Sequence, residues 1–271
     1  MIIDFHTHIF PDKIAKKTIE YLASKGDDMI PFSDGSVAGL LSEMEEGGVD
    51  LAVTLPVMTN PAQFESVNRF ALEVNEAFAD KEKRILSFAG IHPDCEDLGE
   101  KMKWIRESGF LGIKIHPDYQ DTYILDERYL KILQYAKEYD LIVVTHAGVD
   151  AGYRGQPVHC PPDMVKEVIK KVPHSKFVLA HLGGNEMYDQ VLSLLAGEDL
   201  YLDTAYVLRF VGKETFHSLL KKHGEDRILF ATDSPWSGMR EDLAILGSFD
   251  LEENTKKKLL SDNAKKLLGI R

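Results

Sequence analysis

Two histidines one residue apart close an apolar run at the start of the chain. Residues 2–8 read Ile-Ile-Asp-Phe-His-Thr-His, a composition typical of a buried β-strand. Because side chains alternate faces along a strand, His6 and His8 point the same way and can bind one metal ion together. Surface histidines also fall at this spacing by chance, so the pair gains weight only from other polar residues placed in the same way.

Further polar residues of this kind end or directly follow other apolar segments. They are His92, Lys114, His116, His146, His181 and Asp233. Several imidazoles gathered at one place would leave buried polar groups in need of partners. A divalent metal ion would satisfy them. Three imidazoles and one carboxylate form a nitrogen-rich ligand set that favours Zn²⁺, with Mn²⁺ or Fe²⁺ as alternatives.

Eight short apolar segments would carry these residues as strands. They are Ile2–Ile9, Leu51–Leu55, Ile85–Ile91, Leu111–His116, Leu141–His146, Lys176–His181, Leu200–Thr204 and Ile228–Asp233. Several of them are continuously apolar, as in the run Leu-Ile-Val-Val at 141–144, which is typical of strands buried on both faces. The pattern therefore predicts a parallel sheet.

Helical patterns separate the strands. Between 62 and 81, apolar residues recur at i, i+3 and i+4, and similar stripes cover 36–46, 97–108, 126–139, 162–171, 185–196 and 214–223. Eight strand-and-helix units in 271 residues predict a single (β/α)8 TIM barrel over residues 1–271. No Gly-x-Gly-x-x-Gly follows the first strand, so a dinucleotide-binding open sheet lacks its motif.

Two long insertions are expected to act as helical lids over the barrel. The first is Pro11–Gly35, a helix followed by a polar loop at Gly26-Asp27-Asp28, and the second is Gly148–Cys160. In a barrel of this type the C-terminal ends of the strands meet at one face. The polar residues at the segment ends would therefore surround one site beneath these lids.

The composition bears on the cellular location of the protein and on the classes of partner that it can bind. A formal net charge of −12 argues against nucleic acid, whose phosphates require clustered Lys and Arg. Two cysteines, Cys95 and Cys160, are too few for a disulfide framework, and no apolar run reaches the ~20 residues that span a bilayer. With no leader pattern at the N-terminus, we expect a cytoplasmic protein with a small-molecule substrate and no membrane partner. The oligomeric state stays open, a homo-oligomer included.

The order of the motifs resembles the amidohydrolase superfamily. The motifs are His-Thr-His at 6–8, Thr-His-Ala-Gly at 145–148, Ala-His-Leu-Gly-Gly at 180–184 and Ala-Thr-Asp-Ser-Pro-Trp at 231–236. Within the superfamily, the chain is most similar to amidohydrolase family 2, a branch of TIM-barrel metal-dependent hydrolases that also contains non-oxidative decarboxylases. The resemblance extends from the first predicted strand to the last.

The resemblance implies a ligand set. His6, His8, His146 and Asp233 match the positions that hold a single metal ion in the family. His181 matches a histidine that binds a second metal or polarises the substrate. Lys114 stands where binuclear members have a carboxylated lysine between two metals, so the centre would hold one or two ions. His116 follows on the same face, and Lys114 as a charged group near the centre is the alternative.

The resemblance implies a reaction in which the metal activates water. Asp233 would take the proton of that water and pass it to the leaving group, and His181 would polarise the scissile carbonyl. The reaction would be hydrolysis of a C–N or C–O bond in a small carbonyl or carboxylate compound. A further hypothesis is a metal-free hydrolase that uses the histidines and Asp233 directly.

Two other functions stay open. The first is non-oxidative decarboxylation of a small aromatic or unsaturated carboxylic acid. Decarboxylases of this branch often have Glu in place of the first histidine, so His6 favours hydrolysis. The second is a barrel that binds a metal or ligand without turnover, and the presence of the proton-transferring Asp233 argues against it.

Four residues are candidates for binding the substrate: His92, His116, Arg154 and Trp236. An arginine at the barrel mouth can hold a carboxylate through two hydrogen bonds. Trp236, together with Tyr119, Tyr153 and Tyr206, can form an aromatic wall for a planar substrate, although such residues also pack without function.

Overall fold

The computed structural model describes residues 1–26 and 29–270, in which parallel strands are ringed by helices. The strands are β1 (Ile3–Thr7), β2 (Leu51–Thr54), β3 (Arg84–Ser87, continued at Ala89–Gly90), β4 (Gly112–Ile115), β5 (Ile142–Thr145), β6 (Phe177–Leu179), β7 (Tyr201–Asp203) and β8 (Ile228–Leu229). Every neighbouring pair from β1 to β8 is parallel. Each strand lies within one of the eight predicted segments, except that β3 begins one residue before its segment, at Arg84.

The barrel closes between β8 and β1 by backbone hydrogen bonds. The amide of Phe5 donates to the carbonyl of Phe230 at 3.0 Å, and the amide of Asp233 donates to the carbonyl of His6 at 2.8 Å. The amide of His8 donates to the carbonyl of Ser234 at 2.6 Å. These bonds continue the sheet past the short strand β8. The predicted (β/α)8 barrel is therefore confirmed.

Helices connect the strands and cover the outside. They are α1 (Ala15–Ala23), α2 (Val37–Gly47), α3 (Phe64–Phe78), α4 (Leu98–Glu107), α5 (Glu127–Glu138), α6 (Pro162–Lys171), α7 (Tyr188–Leu194), α8 (Leu208–Val211), α9 (Lys213–His223), α10 (Met239–Gly247), α11 (Glu253–Lys257) and α12 (Asn263–Leu268). Among the described residues, no helix is both long and apolar enough to cross a membrane.

Two buried clusters follow from the alternation of side chains along the strands. Phe5 of β1, Val53 of β2 and Val144 of β5 belong to one cluster, and strands so far apart in the sheet can meet only inside the barrel. Ile113 of β4 and Ile132 of α5 belong to another, between the sheet and the outer helices. Burial of these apolar faces, at roughly 25 cal/mol per Å² removed from water, holds the strand ends in place.

Both predicted insertions lie beside the cavity described below. The first contains α1, and the polar loop predicted at Gly26-Asp27-Asp28 includes residues 27 and 28, which lie outside the described residues. The second contains a 3₁₀ turn at Ala151–Tyr153 and starts at Gly148, whose φ is +81°. A Cβ at Gly148 would lie 2.2 Å from the amide nitrogen of Asn185, so only glycine allows the two segments to approach.

Candidate metal centre

A cavity of about 840 Å³ opens at the C-terminal ends of the strands. Its polar lining residues include His6, His8, Lys114, His116, His146, Asp150, His181 and Asp233. All of these except Asp150 were singled out from the sequence. Asp150 falls within the second predicted insertion, where nothing in the sequence distinguished its carboxylate from a surface aspartate.

Three ligand atoms converge in the first part of this site, which we call the first group: His6, His8 and Asp233. The Nε2 atoms of His6 and His8 are 3.2 Å apart. Oδ1 of Asp233 lies 2.9 Å from Nε2 of His8 and 3.3 Å from Nε2 of His6. Asp233 reaches this position with φ at +66°, a backbone conformation that aspartate adopts more readily than most residues.

The partners behind the two rings fix which nitrogen faces the cavity. Nδ1 of His8 lies 2.8 Å from the carbonyl oxygen of Leu55, which can only accept, so Nδ1 carries the proton. Nδ1 of His6 donates to Oδ2 of Asp203 at 2.9 Å. Burial, and then the charge of Lys114, hold the pKa of His6 well below its usual value. In its neutral form, each ring therefore presents an unprotonated Nε2.

The first group fits a metal ion on the chemistry of its ligand atoms. The two Nε2 atoms and a carboxylate oxygen lie within 3.3 Å of one another, and each of these atoms is an acceptor when the two rings are neutral. Acceptors held this close repel one another unless a cation lies between them. Two imidazoles and one carboxylate form a donor set suited to Zn²⁺, Mn²⁺ or Fe²⁺.

Asp203 is a site residue that the sequence analysis missed. It ends β7 and is fully buried. Its Oδ1 accepts the amides of His181 and Ala205 at 2.9 and 3.1 Å, while Oδ2 accepts His6. Burial raises the pKa of the Asp203 carboxyl. The available signal was a charged residue at the end of an otherwise apolar strand.

A second group of ligand atoms is formed by His116, His146 and Asp150. The rings of His116 and His146 stack with centroids 4.2 Å apart. Nε2 of His116 lies 3.4 Å from Oδ2 of Asp150, and burial lowers the pKa of both histidines well below the usual value. His146 was predicted with His6, His8 and Asp233, and its Nδ1 instead contacts Nε2 of His181 at 2.9 Å.

The protons in the second group can be followed from His181. Nδ1 of His181 donates to the carbonyl of Ala205 at 2.8 Å, so its Nε2 is the acceptor for Nδ1 of His146. Nε2 of His146 is then unprotonated, and it is buried without a hydrogen-bond partner in the described part of the chain. In a neutral His181, Nδ1 and Nε2 are thus both engaged, with Ala205 and His146, whereas polarising a carbonyl would require a free donor.

Lys114 lies against the first group. It is almost fully buried, and its Nζ is 3.0 Å from Nε2 of His6. Burial lowers the pKa of Lys114 to about 8. Near pH 8, the side chain of Lys114 therefore converts between the charged ammonium and the neutral amine.

Two of the four predicted substrate-binding residues line the cavity. Trp236 and His116 line the cavity, as do the tyrosines at 119, 153 and 206. Among the described residues, the cavity lining does not include His92 or Arg154. Arg154 is 42% exposed and pairs with Glu186 at 2.7 Å, which turns its guanidinium toward solvent.

Comparisons with known proteins agree with this architecture. A family model described as amidohydrolase matches residues 3–270. No curated protein matches the chain significantly. Among solved structures, an uncharacterized TIM-barrel protein from Bordetella bronchiseptica is 16% identical, with a TM-score of 0.76, and the match covers 99% of this chain and 98% of that one.

Two further similar structures are enzymes by their descriptions. A dihydroxybenzoic acid decarboxylase from Polaromonas sp., with bound manganese and the inhibitor 2-nitroresorcinol, is 15% identical with a TM-score of 0.69, covering 99% and 96% of the two chains. A probable 2-pyrone-4,6-dicarboxylic acid hydrolase from Acinetobacter baumannii is 15% identical with a TM-score of 0.68, covering 99% of both. At these identities the likeness shows a shared fold.

Proposed function

We propose that this chain, which belongs to the amidohydrolase family, is a metal-dependent hydrolase of a C–N or C–O bond in a small carbonyl or carboxylate compound. The observation that carries the proposal is the convergence of Nε2 of His6, Nε2 of His8 and Oδ1 of Asp233 within 3.3 Å. With His146 as a further ligand, these residues would hold a divalent ion. Zn²⁺ suits the nitrogen-rich set, and Mn²⁺ is the alternative because the Polaromonas structure contains manganese.

When bound, a divalent ion acts as a Lewis acid that polarises a carbonyl and makes water a better nucleophile at neutral pH. The protein's own groups would do the rest. Asp233 lines the cavity beside the imidazoles, where its carboxylate can take a proton from water and return it to the leaving nitrogen or oxygen.

Lys114 would take over the electrostatic role predicted for His181. Lys114 lines the same cavity and its Nζ carries protons that can be donated to a developing oxyanion, whereas both ring nitrogens of a neutral His181 are engaged with Ala205 and His146. If Lys114 instead reacts with CO₂, its lowered pKa favours the neutral amine that carboxylation requires. That route would create the bridging group of a centre with two ions.

Decarboxylation is the second candidate. The observation in its favour is the aromatic wall of the cavity, where the rings of Tyr119 and Tyr153 meet edge to face with centroids 5.2 Å apart. Such a wall suits a planar aromatic acid. Asp233 would then protonate the carbon that loses CO₂.

A paired assay separates the two reactions. Protein loaded with Zn²⁺ or Mn²⁺ would be tested for hydrolysis of lactones, esters and amides, and in parallel for CO₂ release from hydroxybenzoates. We expect turnover in the first panel that disappears with chelation and returns with metal. CO₂ release without hydrolysis would replace the hydrolase by the decarboxylase, and wild-type protein that binds no stoichiometric metal would overturn both.

A further inference from the structure

The side of His146 that faces away from His181 contains two buried polar atoms without hydrogen bonds. They are Nε2 of His146 and Oδ2 of Asp118, and neither has a hydrogen-bond partner among residues 1–26 and 29–270. The two atoms are 3.8 Å apart, and their residues are 5% and 4% exposed. Buried polar atoms are rarely left without partners, so this pair requires an explanation.

Asp118 is held in its orientation from behind. Its Oδ1 accepts the amide of His159 at 3.1 Å and the ring Nδ1 of His159 at 2.9 Å. The carboxylate cannot rotate without breaking these bonds. Its second oxygen is therefore held in the direction of His146.

With the ring protons placed as the hydrogen-bond partners of His181 indicate, both atoms of this pair are acceptors. Nδ1 of His146 carries the ring proton toward His181, which leaves a lone pair on Nε2 opposite the carboxylate oxygen. Moving the ring proton from Nδ1 to Nε2 removes this conflict. Nε2 would then donate to Asp118 after an approach of about 1 Å. The lone pair of Nδ1 would then lie 2.9 Å from that of Nε2 of His181, and a cation bound by Nδ1 would offset the hydrogen bond lost between the two rings.

We infer that Asp118 is a positioning residue that holds the proton of His146 on Nε2, so that Nδ1 is available as a metal ligand. The inference rests on the proposed metal-dependent function. Metal-binding histidines commonly donate their other N–H to a carboxylate, which fixes the tautomer. Asp203 already stands in this relation to His6 in the first group.

Asp150 is the competing acceptor, and the contacts favour Asp118. Oδ2 of Asp150 lies 3.9 Å from Nε2 of His146, but it also lies 3.4 Å from Nε2 of His116. Oδ1 of Asp150 accepts the amide of Gly152 at 2.8 Å. Within the described part of the chain, Oδ2 of Asp118 has no hydrogen bond and lies 3.8 Å from Nε2 of His146.

The test is Asp118→Asn. The side-chain oxygen of the new amide would stay with the two donors of His159, which turns the amide NH₂ toward His146. That NH₂ would donate to Nε2 and hold the ring proton on Nδ1. We expect Mn²⁺ or Zn²⁺ affinity, measured by chelator competition, to fall roughly 10–100-fold.

A second readout reports the tautomer directly. In metal-loaded protein with ¹⁵N-labelled histidine, we expect His146 to carry its proton on Nε2 in the wild type and to lose that signature in Asp118→Asn. Asp121→Asn is the matched control, because Asp121 is 98% exposed and contacts His159 from the other side at 3.5 Å. It should bind metal like the wild type.

The outcomes are distinct. Wild-type affinity in Asp118→Asn, or a comparable loss in Asp150→Asn but not in Asp118→Asn, would overturn the inference while the metal function stands. A wild type that binds no metal would overturn the proposed function itself. If Asp118→Asn does not fold, His159→Phe removes one donor that holds Asp118, and it is expected to weaken metal binding several-fold; unchanged binding would overturn the inference.

Discussion

The two groups of ligand atoms in the cavity differ in what lies behind their rings. In the first group, His6 and His8 each donate from Nδ1 to an acceptor at 2.9 and 2.8 Å, so both present a lone pair to the cavity. In the second group, Nε2 of His146 has no hydrogen bond among the described residues, and Oδ2 of Asp118 is 3.8 Å away from it. A histidine is therefore prepared for metal by the acceptor behind it as much as by its position on a strand.

The largest effect is expected when the carboxylate of the first group is removed. Asp233→Asn should lower kcat by about 10²–10⁴-fold, because the amide cannot accept and return a proton. The thermal unfolding midpoint should change little. Steady-state kinetics with the best substrate of the paired assay would measure the loss.

The control for this variant is Asp199→Asn, a change of the same size at an aspartate that is 75% exposed. It should leave kcat unaltered. Full activity in Asp233→Asn would remove the proton-transfer role, and the first group would then be no more than a binding site.

The next test removes the acceptor behind His6, so that the first group lacks it as the second group does. In Asp203→Asn, the side-chain oxygen keeps the amides of His181 and Ala205, and the NH₂ faces Nδ1 of His6. The ring proton should then move to Nε2, into the metal position. We expect metal affinity to fall roughly 10–100-fold, as measured by chelator competition.

Asp4→Asn is the matched control, because Asp4 is equally buried on β1 and its Oδ2 accepts the hydroxyl of Thr232 rather than an imidazole. Its metal affinity should match that of the wild type. Equal affinity in Asp203→Asn would mean that the acceptor behind His6 does not prepare that ring.

A pH experiment tests whether burial beside the first group lowers the pKa of Lys114. The pKa of Lys114 is lowered from 10.5 to about 8 in the folded protein, so folding favours the neutral amine. Between these values the unfolded chain binds more protons than the folded one, and the free energy of unfolding must rise with pH. In metal-free protein, we expect the wild type to gain on the order of 1–3 kcal/mol over Lys114→Met from pH 8 to 10.5.

Urea denaturation of both proteins at the two pH values would measure this gain. The methionine variant is the reference because it keeps the length of the side chain without a titratable group. Parallel pH dependence in the two proteins would show that Lys114 keeps its ordinary pKa and is not desolvated beside His6.

The smallest effect is expected at Arg154. Its guanidinium is paired with Glu186 near the surface, and exposed pairs contribute at most about 1 kcal/mol. Arg154→Ala should therefore change kcat/KM by about twofold or less. A tenfold rise in KM would mean that the arginine turns into the cavity when substrate binds.

The architecture was predictable because burial leaves a strong pattern. The apolar run at 141–144 predicted a strand, and β5 occupies Ile142–Thr145. The segment Ile228–Asp233 was predicted as one strand, whereas β8 ends at Leu229. The amide of Phe230 donates to the carbonyl of Leu259 instead, and Asp233 needs a left-handed backbone to face the imidazoles. Such local departures have no signature in the apolar pattern.

The site was predictable as a set of residue types, but its internal arrangement was not. The positions of His6, His8 and Asp233 at strand ends predicted that they share one site, and the resemblance to the amidohydrolase family implied that they bind one metal ion. The direction of each ring depends on atoms from other elements, such as the carbonyls of Leu55 and Ala205. Every residue has a carbonyl, so no sequence pattern marks the ones that select a tautomer.

The seam between β8 and β1 has a consequence for how the chain acquires its ligand atoms. His8 and Asp233 are 225 positions apart, and the backbone bonds that join their strands are among the longest-range contacts in the fold. While the chain is being synthesised, the first two histidines emerge long before the aspartate that completes their group. A chain that stops before residue 228 can form seven strands and still have an open sheet edge with two imidazoles beside it. The ability to bind metal therefore reports that synthesis has passed the last strand and that the sheet has closed.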